Sequence, residues 1–196
     1  EKSKINGNLK VEDIIVYDSA KLNWTDSVIK DLFNDEVYSF KQKAIAIGLY
    51  RPYTKQRLYY AKELIHRTYQ QMKLFPSSEH TNLVVCVSGV GASKDFSVLL
   101  ANCIPDLQLQ FNGQCFPLYY YEKNDQAQMS VFDQGNDEYI RRDGISDFIF
   151  ERALKIYGKN VTKEDIFYYV YGFLHCPEYR EKFANDLKKM LPRLPL

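Results

Sequence analysis

The residues from 48 to 60 combine aromatic rings with positive charge in a pattern that could bind an anion. Their sequence, GLYRPYTKQRLYY, contains four tyrosines and three cationic side chains. An arginine can bond a phosphate, or the two acceptor atoms at the edge of a guanine, through paired N–H donors. If one strand ran through Pro52, alternation would place four of these side chains on one face, namely Arg51, Tyr53, Lys55 and Arg57. The alternative is that the tyrosines pack in the core and the cations only face water.

The charged residues are distributed unevenly along the chain, although the formal net charge is only +1. Residues 41–73 contain eight cations and one acid, Glu63, whereas residues 122–147 contain seven acids and three cations. Such separation can create a positive face on a protein of nearly neutral total charge. The cations of the first segment include Arg67 besides those of the tyrosine-rich stretch. Two solvated faces of opposite sign would have the same composition.

A glycine-containing turn follows the most apolar segment, in the sequence VSGVGASKD at 87–95. It does not match a P-loop, because Lys94 stands three residues after Gly91 instead of next to it. Ser88, Ser93, Lys94 and the backbone amides of such a turn could still bond a phosphate. An ordinary turn between two strands contains the same residue types, so both interpretations stay open.

The sequence contains no arrangement typical of a catalytic or metal site. The three histidines lie far apart, the four cysteines form no C-x-x-C pair, and neither G-x-S-x-G nor H-E-x-x-H occurs. We therefore expect this chain to catalyse no reaction and to hold no cofactor or metal ion. Free thiols in apolar segments are typical of a reducing compartment, which indicates the cytoplasm. No apolar run is long enough for a membrane span, so we expect no membrane partner.

The pattern of apolar residues predicts an α+β fold. Residues 1–135 are predicted to form a mixed α/β part with a small mixed sheet, a helix capped by Thr25 or Asp26 and another helix over 61–73. Strands are predicted where apolar or alternating runs occur. These runs are KAIAIGLY, RLYY, NLVVCVSG, DFSVLLANCIPDL and QCFPLYYYE. Pro117 in the last run predicts a sheet edge or a bulge.

Residues 136–196 are predicted to form a C-terminal part of three helices. The first ends at Gly158, the second begins at Thr162 with Asp165 in a near match to a capping box, and the third begins with Pro177. Apolar side chains at helical spacing are predicted to form the core of this part. They are Phe148, Leu154, Ile166, Tyr169, Val170, Phe173, Leu174, Phe183 and Leu187. We expect the two parts to form one compact piece of a longer protein.

Four separated segments resemble the C-terminal part of type ISP restriction–modification enzymes. They are YRPYTKQRLYY (50–60), VSGVGASKDFSVLLANCIPDL (87–107), CFPLYYYE (115–122) and DIFYYVYGFLHCPEYREKFANDLKKMLPRLPL (165–196). The resemblance covers most of residues 18–196 and keeps the order of the segments. Members of that family are large single polypeptides that join a nuclease, a helicase-like ATPase, an adenine methyltransferase and a target-recognition region.

By this resemblance the chain would be the target-recognition, or specificity, region that follows the methyltransferase. The sequence lacks the Asn/Asp-Pro-Pro-Tyr/Phe motif that holds a target adenine, and it lacks helicase motifs. The region would thus bind double-stranded DNA without reacting with it. The resemblance implies S-adenosylmethionine, ATP and Mg in the full-length parent, and the methyltransferase and helicase regions of the same polypeptide as partners. We expect the chain itself to be monomeric.

The resemblance names no residue that contacts DNA, so the predicted site comes from the physical arguments above. It comprises Arg51, Tyr53, Lys55, Arg57, Arg67, Ser93 and Lys94. The alternative function is a structural or coupling module that docks onto the methyltransferase or ATPase regions without touching DNA. A free-standing RNA-binding protein fits less well, because a chain that opens on Glu1 has the look of a segment of a longer one.

Overall fold

The chain divides into two compact units. The computed structural model describes residues 15–18, 24–65, 67–124 and 138–195. One unit comprises Glu1–Phe40 with Lys62–His66, and the other comprises Lys41–Ala61 with Arg67–Leu196. Helices and small sheets are both present, which confirms the predicted α+β class. The boundary predicted between 135 and 136 lies outside the described residues and stays a prediction.

The first unit contains helix α1 (Asp26–Phe33) and a short 3-10 helix (Lys62–Leu64). Helix α1 begins as predicted, because Thr25 is extended and its hydroxyl accepts a hydrogen bond from the backbone N–H of Val28 at 3.4 Å. Val28 is buried, whereas Phe33 on the predicted apolar side is exposed. The cap could be read from the sequence because it is local.

The helix predicted over 61–73 is not formed. Among the described residues of this stretch, Lys62–Leu64 and α2 (Gln71–Leu74) are helical. The backbone between them has left-handed φ angles of 56° at Arg67 and 44° at Tyr69. A continuous right-handed helix cannot pass through residues in that conformation. The segment instead passes from the first unit to the second after residue 66. Helical spacing depends only on nearby residues, so it does not indicate that the chain passes from one unit to the other here.

Among the described residues, the second unit contains eight strands in three small sheets. Their bounds are β1 Ile45–Arg51, β2 Thr54–Tyr59, β3 Val84–Val87, β4 Val98–Ala101, β5 Ile104–Pro105, β6 Gln114–Pro117, β7 Tyr119–Lys123 and β8 Tyr139–Asp143. The strand orders are β2–β1–β5, β4–β3–β6 and β7–β8. Neighbouring strands in these sheets pair antiparallel except β1 and β5, which are parallel. The first sheet is therefore mixed, as predicted. Pro117 ends the edge strand β6, also as predicted, whereas β8 was not predicted.

Strand β3 is fully buried along its length. Its four residues, VVCV, are each at most 1% exposed, and antiparallel partners lie on both sides of it. A continuous apolar run suits this position because both faces of the strand are covered. The strand therefore forms the centre of the second unit.

A buried asparagine ties three elements together just before β3. The Asn82 side-chain amide donates hydrogen bonds to the carbonyl oxygens of Leu74 at 2.9 Å and Tyr119 at 2.6 Å. Its oxygen accepts the N–H of Tyr119 at 3.1 Å. A buried polar side chain is destabilising unless it is bonded in this way. Asn82 thus fixes the end of α2 and the start of β7 against β3.

The C-terminal part contains four helical segments. They are α3 (Asp147–Tyr157), α4 (Lys163–Phe173), α5 (Pro177–Lys182) and α6 (Ala184–Leu187). Gly158 ends α3 with a φ of 96°, and Thr162 and Asp165 form a complete capping box at the start of α4. The predicted third helix is instead the pair α5 and α6. Phe183 between them has φ −109° and ψ 19°, which interrupts the helix.

One hydrophobic cluster joins the sheets to the C-terminal helices. Its buried members come from β3, β4 and the loops beside them, and from α4, α5, α6 and the turn after α4. They are Val85, Val87, Phe96, Val98, Leu118, Phe167, Leu174, Tyr179 and Leu187. Sheets and helices of the second unit therefore share one core.

The prediction of the helical core was partly wrong. Ile166, Leu174 and Leu187 are buried, as predicted, whereas Phe148 is 72% exposed and Tyr169 is 38% exposed. Helical spacing identifies an apolar stripe, but it does not say which part of the stripe faces the sheet. That choice depends on where the sheet lies.

Replacing Phe167 should destabilise the protein strongly, whereas replacing Phe148 should not. Phe167 is buried in the shared core, so Phe167→Ala leaves a cavity and should cost about 3–5 kcal/mol of unfolding free energy. Phe148→Ala is the matched control, because it removes the same atoms from an exposed position, and it should change this free energy by less than about 0.5 kcal/mol. Urea unfolding followed by circular dichroism measures both. Equal destabilisation by the two variants would contradict this assignment of the core.

Candidate nucleic-acid interface

The tyrosine-rich stretch forms a β-hairpin. Strands β1 and β2 run antiparallel, and the chain reverses at Pro52 and Tyr53. Arg51 ends β1 opposite Thr54, while the cations of β2 lie opposite apolar residues of β1. The single face predicted for Arg51, Tyr53, Lys55 and Arg57 is therefore wrong, because the strand does not continue through Pro52. Only Lys55 and Arg57 share a face by their spacing on β2.

Tyr53 stands at the tip of this hairpin. Its φ is 65° and its side chain is 89% exposed. A bulky residue rarely adopts a left-handed φ, and residues held in sparsely populated conformations are concentrated at functional sites. The turn therefore presents an aromatic ring to solvent at the cost of local strain.

Arg51 is held at the base of the turn by contacts with Tyr50 and Asp106. Its guanidinium carbon lies 4.0 Å from the centre of the Tyr50 ring. Its Nη1 donates to the Tyr50 carbonyl at 2.7 Å and to Asp106 Oδ1 at 3.3 Å, and its Nη2 donates to the Tyr50 hydroxyl at 3.3 Å. The side chains of Arg51 and Asp106 are both partly exposed. Arg51 is thus oriented and still accessible.

The other predicted cations make fewer contacts than Arg51. Lys55 donates a hydrogen bond to Asn102 Oδ1 at 3.3 Å, and Arg57 is exposed on β2, an edge strand of its sheet. Arg67 is exposed in the irregular segment before α2. Helix α2, which follows this segment, contacts the first sheet through Gln71, whose side-chain amide donates to the Pro105 carbonyl at 3.2 Å. No contact described here joins Arg67 to the hairpin turn.

A loop at residues 106–113 adjoins the hairpin and was missed by the sequence analysis. Asp106 Oδ1 accepts the N–H of Gln108 at 2.8 Å, and the Gln108 amide donates to Asn112 Oδ1 at 2.6 Å. Phe111 and Asn112 have φ angles of 52° and 58°, and both are exposed. The Asn112–Gly113 pair is a turn signal that could have revealed this loop. The loop presents an aromatic ring and two amide side chains to solvent.

The loops at 88–97 and 106–113 leave the same end of the second sheet. Val87 at the end of β3 pairs with Val98, the first residue of β4, and with Gln114, the first residue of β6. The 88–97 loop joins β3 to β4, and the 106–113 loop leads into β6. Both loops therefore meet the second sheet at the same end.

A buried polar cluster connects the bases of these two loops. The Ser88 hydroxyl accepts the N–H of Ser97 at 2.7 Å and lies 2.9 Å from the Ser97 hydroxyl, which in turn donates to the Gln110 side chain. The Gly89 N–H donates to the Gln110 carbonyl at 3.3 Å. Ser88 and Gln110 are both buried. Ser88 thus stabilises the loop internally, and it is not the phosphate ligand that the sequence suggested.

Several backbone amides of the 88–97 loop are used inside the protein. The N–H groups of Gly89, Gly91 and Ala92 donate to the carbonyls of Gln110, Lys188 and Gly89. These three amides therefore do not contribute to the anion site that the sequence suggests. Ser93 and Lys94 remain exposed near the tip of the loop, where they could meet a ligand.

The C-terminal helices brace this loop from one side. Lys188 Nζ lies 3.0 Å from Asp95 Oδ1, and the Gly91 N–H donates to the Lys188 carbonyl at 2.9 Å. Arg180 donates to the Phe96 carbonyl, and its guanidinium lies 5.8 Å from the centre of the Phe96 ring. The helical part thus positions one of the candidate loops.

Contacts link three exposed segments into one candidate interface. The hairpin turn at 50–55 meets the 106–113 loop through Arg51 and Asp106, and the 106–113 loop meets the 88–97 loop through Gln110 and Gly89. Of the predicted residues, this arrangement brings together Arg51, Tyr53, Lys55, Ser93 and Lys94. Arg57 extends it along β2, and Arg67 is not joined to it.

Two kinds of side chain in the described residues bear on catalysis, namely potential metal ligands and thiols. No group of three or more His, Cys, Asp or Glu side chains in this part of the chain could hold a metal ion. Cys86 and Cys115 are free thiols with sulfur atoms 3.3 Å apart, and the hydrogen bond between them, together with burial, raises the pKa of Cys86. A thiol with a raised pKa is a poor nucleophile at neutral pH. No helix in these ranges is long and apolar enough to cross a membrane.

The family of the chain is decided by a match over almost its whole length. The model of the Type ISP C-terminal specificity domain matches residues 3–196. The chain belongs to this family. The resemblance that its sequence segments indicate is thereby confirmed. No curated protein matches the chain at a significant level.

Solved structures similar to this specificity domain include three large enzymes. The ATP-dependent Type ISP restriction–modification enzyme LlaBIII, bound to DNA, aligns with a TM-score of 0.73 and 32% identity over 89% of the chain. The DrdV–DNA complex aligns with a TM-score of 0.75 and 33% identity over 87%. A nuclease-deletion mutant of the Type ISP enzyme LlaGI, in complex with a DNA substrate mimic, aligns with a TM-score of 0.71 and 30% identity over 98%. The domain spans 11%, 16% and 13% of those chains, respectively.

Gly89 should be intolerant of a side chain, because it lies against the 106–113 loop. A Cβ at Gly89 would meet the backbone oxygen of Asn112 and would lie 2.8 Å from that of Phe111. Gly89→Ala should therefore displace the loop and cost about 1–3 kcal/mol of unfolding free energy. Gly172→Ala is the control, because nothing lies within 4 Å of its Cβ position in helix α4, and it should stabilise by about 0.5–1 kcal/mol. Chemical denaturation measures both, and equal midpoints for the two variants would contradict the close approach.

Proposed function

We propose that this specificity domain binds double-stranded DNA and recognises a defined base sequence in it. The observation that carries the proposal is the specificity-domain match over residues 3–196. It is supported by the alignment with three enzymes solved together with DNA or a DNA mimic, at 30–33% identity. Recognition regions read base edges in the grooves and use phosphate contacts for orientation. The three linked segments offer groups for both tasks.

The proposed contacts divide by the chemistry of each side chain. Lys55, Arg57 and Lys94 are exposed cations suited to phosphates, and Ser93 adds a hydroxyl beside Lys94. Tyr53 presents its ring at the hairpin tip, where it can lie against sugar or base surfaces. Gln108 and Asn112 add amide groups of the kind that pair with adenine. Arg67 would belong to the footprint only if the DNA extends beyond these segments.

The domain acts within a longer polypeptide in this proposal. The aligned part of the domain spans only 11–16% of the chains of the three similar enzymes, so most of each enzyme lies outside it. Other regions of the polypeptide would methylate adenine with S-adenosylmethionine and would use ATP and Mg to move along and cleave DNA. The specificity domain itself would hold none of these cofactors and would catalyse no step. It would be monomeric and cytoplasmic, in keeping with its four free thiols.

A coupling role is the second candidate function, and exposed apolar side chains on α3 favour it. Phe148, Ile156 and Tyr157 are each more than half exposed. Large apolar side chains that remain exposed can mark contacts with other proteins. In this alternative the helices would dock onto the methyltransferase or ATPase regions and the domain would not touch DNA. Salt-dependent binding of DNA by the domain alone separates the two functions.

Removal of two cations from β2 should weaken DNA binding and flatten its salt dependence. Each neutralised phosphate contributes about 0.9 to the slope of log K against log salt concentration. The double variant Lys55→Ala/Arg57→Ala should therefore reduce that slope by up to about 1.8 if both side chains meet phosphates. Fluorescence anisotropy with a labelled duplex at several salt concentrations measures it.

The matched control removes one lysine from the last turn of α3 and one from just after this helix. Lys155→Ala/Lys159→Ala changes the net charge by the same amount as the β2 double variant. Both side chains are exposed, and both residues lie far from the three linked segments in sequence. Its slope should stay close to that of the unmodified protein. Equal slopes for both double variants would mean that the β2 cations act only through net charge. A complete lack of DNA binding by the unmodified chain would favour the coupling role.

A further inference from the structure

The environment of Arg51 differs from that of the other candidate cations. It stacks on the Tyr50 ring at 4.0 Å and donates to three oxygens of Tyr50 and Asp106. A guanidinium carries five N–H donors, of which these contacts use three. The Nε hydrogen and one Nη2 hydrogen are left for a ligand. Nε and Nη2 lie along one edge of the guanidinium plane, the edge through which an arginine can offer paired donors to a two-acceptor ligand.

Asp106 is itself fixed in place, so it can orient Arg51. Its N–H donates to the Leu49 carbonyl at 3.0 Å, which continues the pairing of β1 with β5. Its Oδ1 also accepts the N–H of Gln108 at 2.8 Å. The carboxylate therefore belongs to the rigid start of the 106–113 loop. An arginine held by such a group loses less side-chain freedom when it binds a ligand.

Charge argues that Arg51 contacts a base and not a phosphate. The Asp106 carboxylate, 3.3 Å from Nη1, offsets the positive charge of the guanidinium. A phosphate contact depends on net positive charge, and a nearby carboxylate would repel the phosphate. A base edge offers neutral acceptors and depends on donor geometry. Guanine presents two acceptors, O6 and N7, side by side in the major groove, and paired arginine donors are their commonest partner.

We propose that Arg51 reads a guanine in the major groove and that Asp106 is the positioning residue that sets this specificity. The inference rests on the proposed function, since it assumes that the domain binds DNA. It assigns a base identity to one residue and a role to Asp106, which the sequence analysis did not include in the site. Lys55, two residues from the hairpin tip and bonded to the neutral Asn102, should lack base preference.

The experiment is a selection of bound duplexes from a random DNA library, followed by sequencing. It compares the unmodified chain with Arg51→Ala, Asp106→Asn and the control Lys55→Ala. The asparagine keeps an oxygen that can accept the Gln108 N–H, so the loop retains its turn while the carboxylate charge is lost. Thermal unfolding of each variant checks that it is folded. Anisotropy with the selected duplex and with single-base variants then measures discrimination at each position.

The expected result is a selective loss at one guanine position. Arg51→Ala should lower the preference for guanine there by about 5- to 100-fold, as expected for one bidentate pair, and leave the other positions unchanged. Asp106→Asn should relax the same position. Because it also removes a negative charge, it should tighten binding to duplexes that lack this guanine. A residue with only a structural role would not produce these two opposite effects. Lys55→Ala should weaken all duplexes about equally.

Several outcomes would overturn the inference. Folded Arg51→Ala that selects the unchanged motif would show that Arg51 does not read a base, while DNA binding by the domain would stand. Relaxation at different positions by Arg51→Ala and Asp106→Asn would refute the positioning role. Relaxation by Arg51→Ala at a position where the unmodified chain does not select guanine would refute the base assignment. Failure of the unmodified chain to select any motif would overturn the proposed function together with this inference.

Discussion

The burial of β3 is the constraint on which the rest of the second unit depends. Val85 and Val87 lie two residues apart, on one face of the strand, and pack in the core with α4, α5 and α6. A shift of one residue would turn both away from the helices, so the register of β3 is strongly specified. Each such side chain contributes about 1.5–3 kcal/mol when fully buried. The positions of β4, β6 and the loops between these strands follow from that register.

Polar side chains connect the end of β3 to the candidate interface and hold the bases of its loops in place. Ser88, Ser97 and Gln110 bond one another under the bases of two loops, and Lys188 and Arg180 hold the 88–97 loop from the helical side. The loop tips stay exposed while their bases are fixed. Recognition surfaces need this combination, because ordering a loose loop on binding would oppose affinity. The C-terminal helices therefore contribute to the site without supplying its contacts.

The cations near the interface are of two kinds. Arg51 is stacked and paired with a carboxylate, whereas Lys55, Arg57 and Lys94 are exposed and form no ion pair with another described residue. In DNA-binding proteins, phosphate contacts supply affinity that is independent of sequence, and base contacts supply discrimination. A single basic segment in the sequence thus contains groups suited to different tasks. Composition and net charge cannot distinguish them, because the difference lies in what each side chain touches.

The sequence by itself determined the local elements and the family of this protein. The cap at Thr25, the capping box at Thr162, the end of α3 at Gly158 and the buried run of β3 all depend on residues close together in the chain. Only the tertiary structure decided the chain reversal at Pro52, the broken helix at 61–73, the exposure of Phe148 and the part played by the 106–113 loop. The contact between Arg51 and Asp106 joins residues 55 positions apart. Such contacts leave no periodic signal in either segment, because they form only after the sheets that carry them have packed.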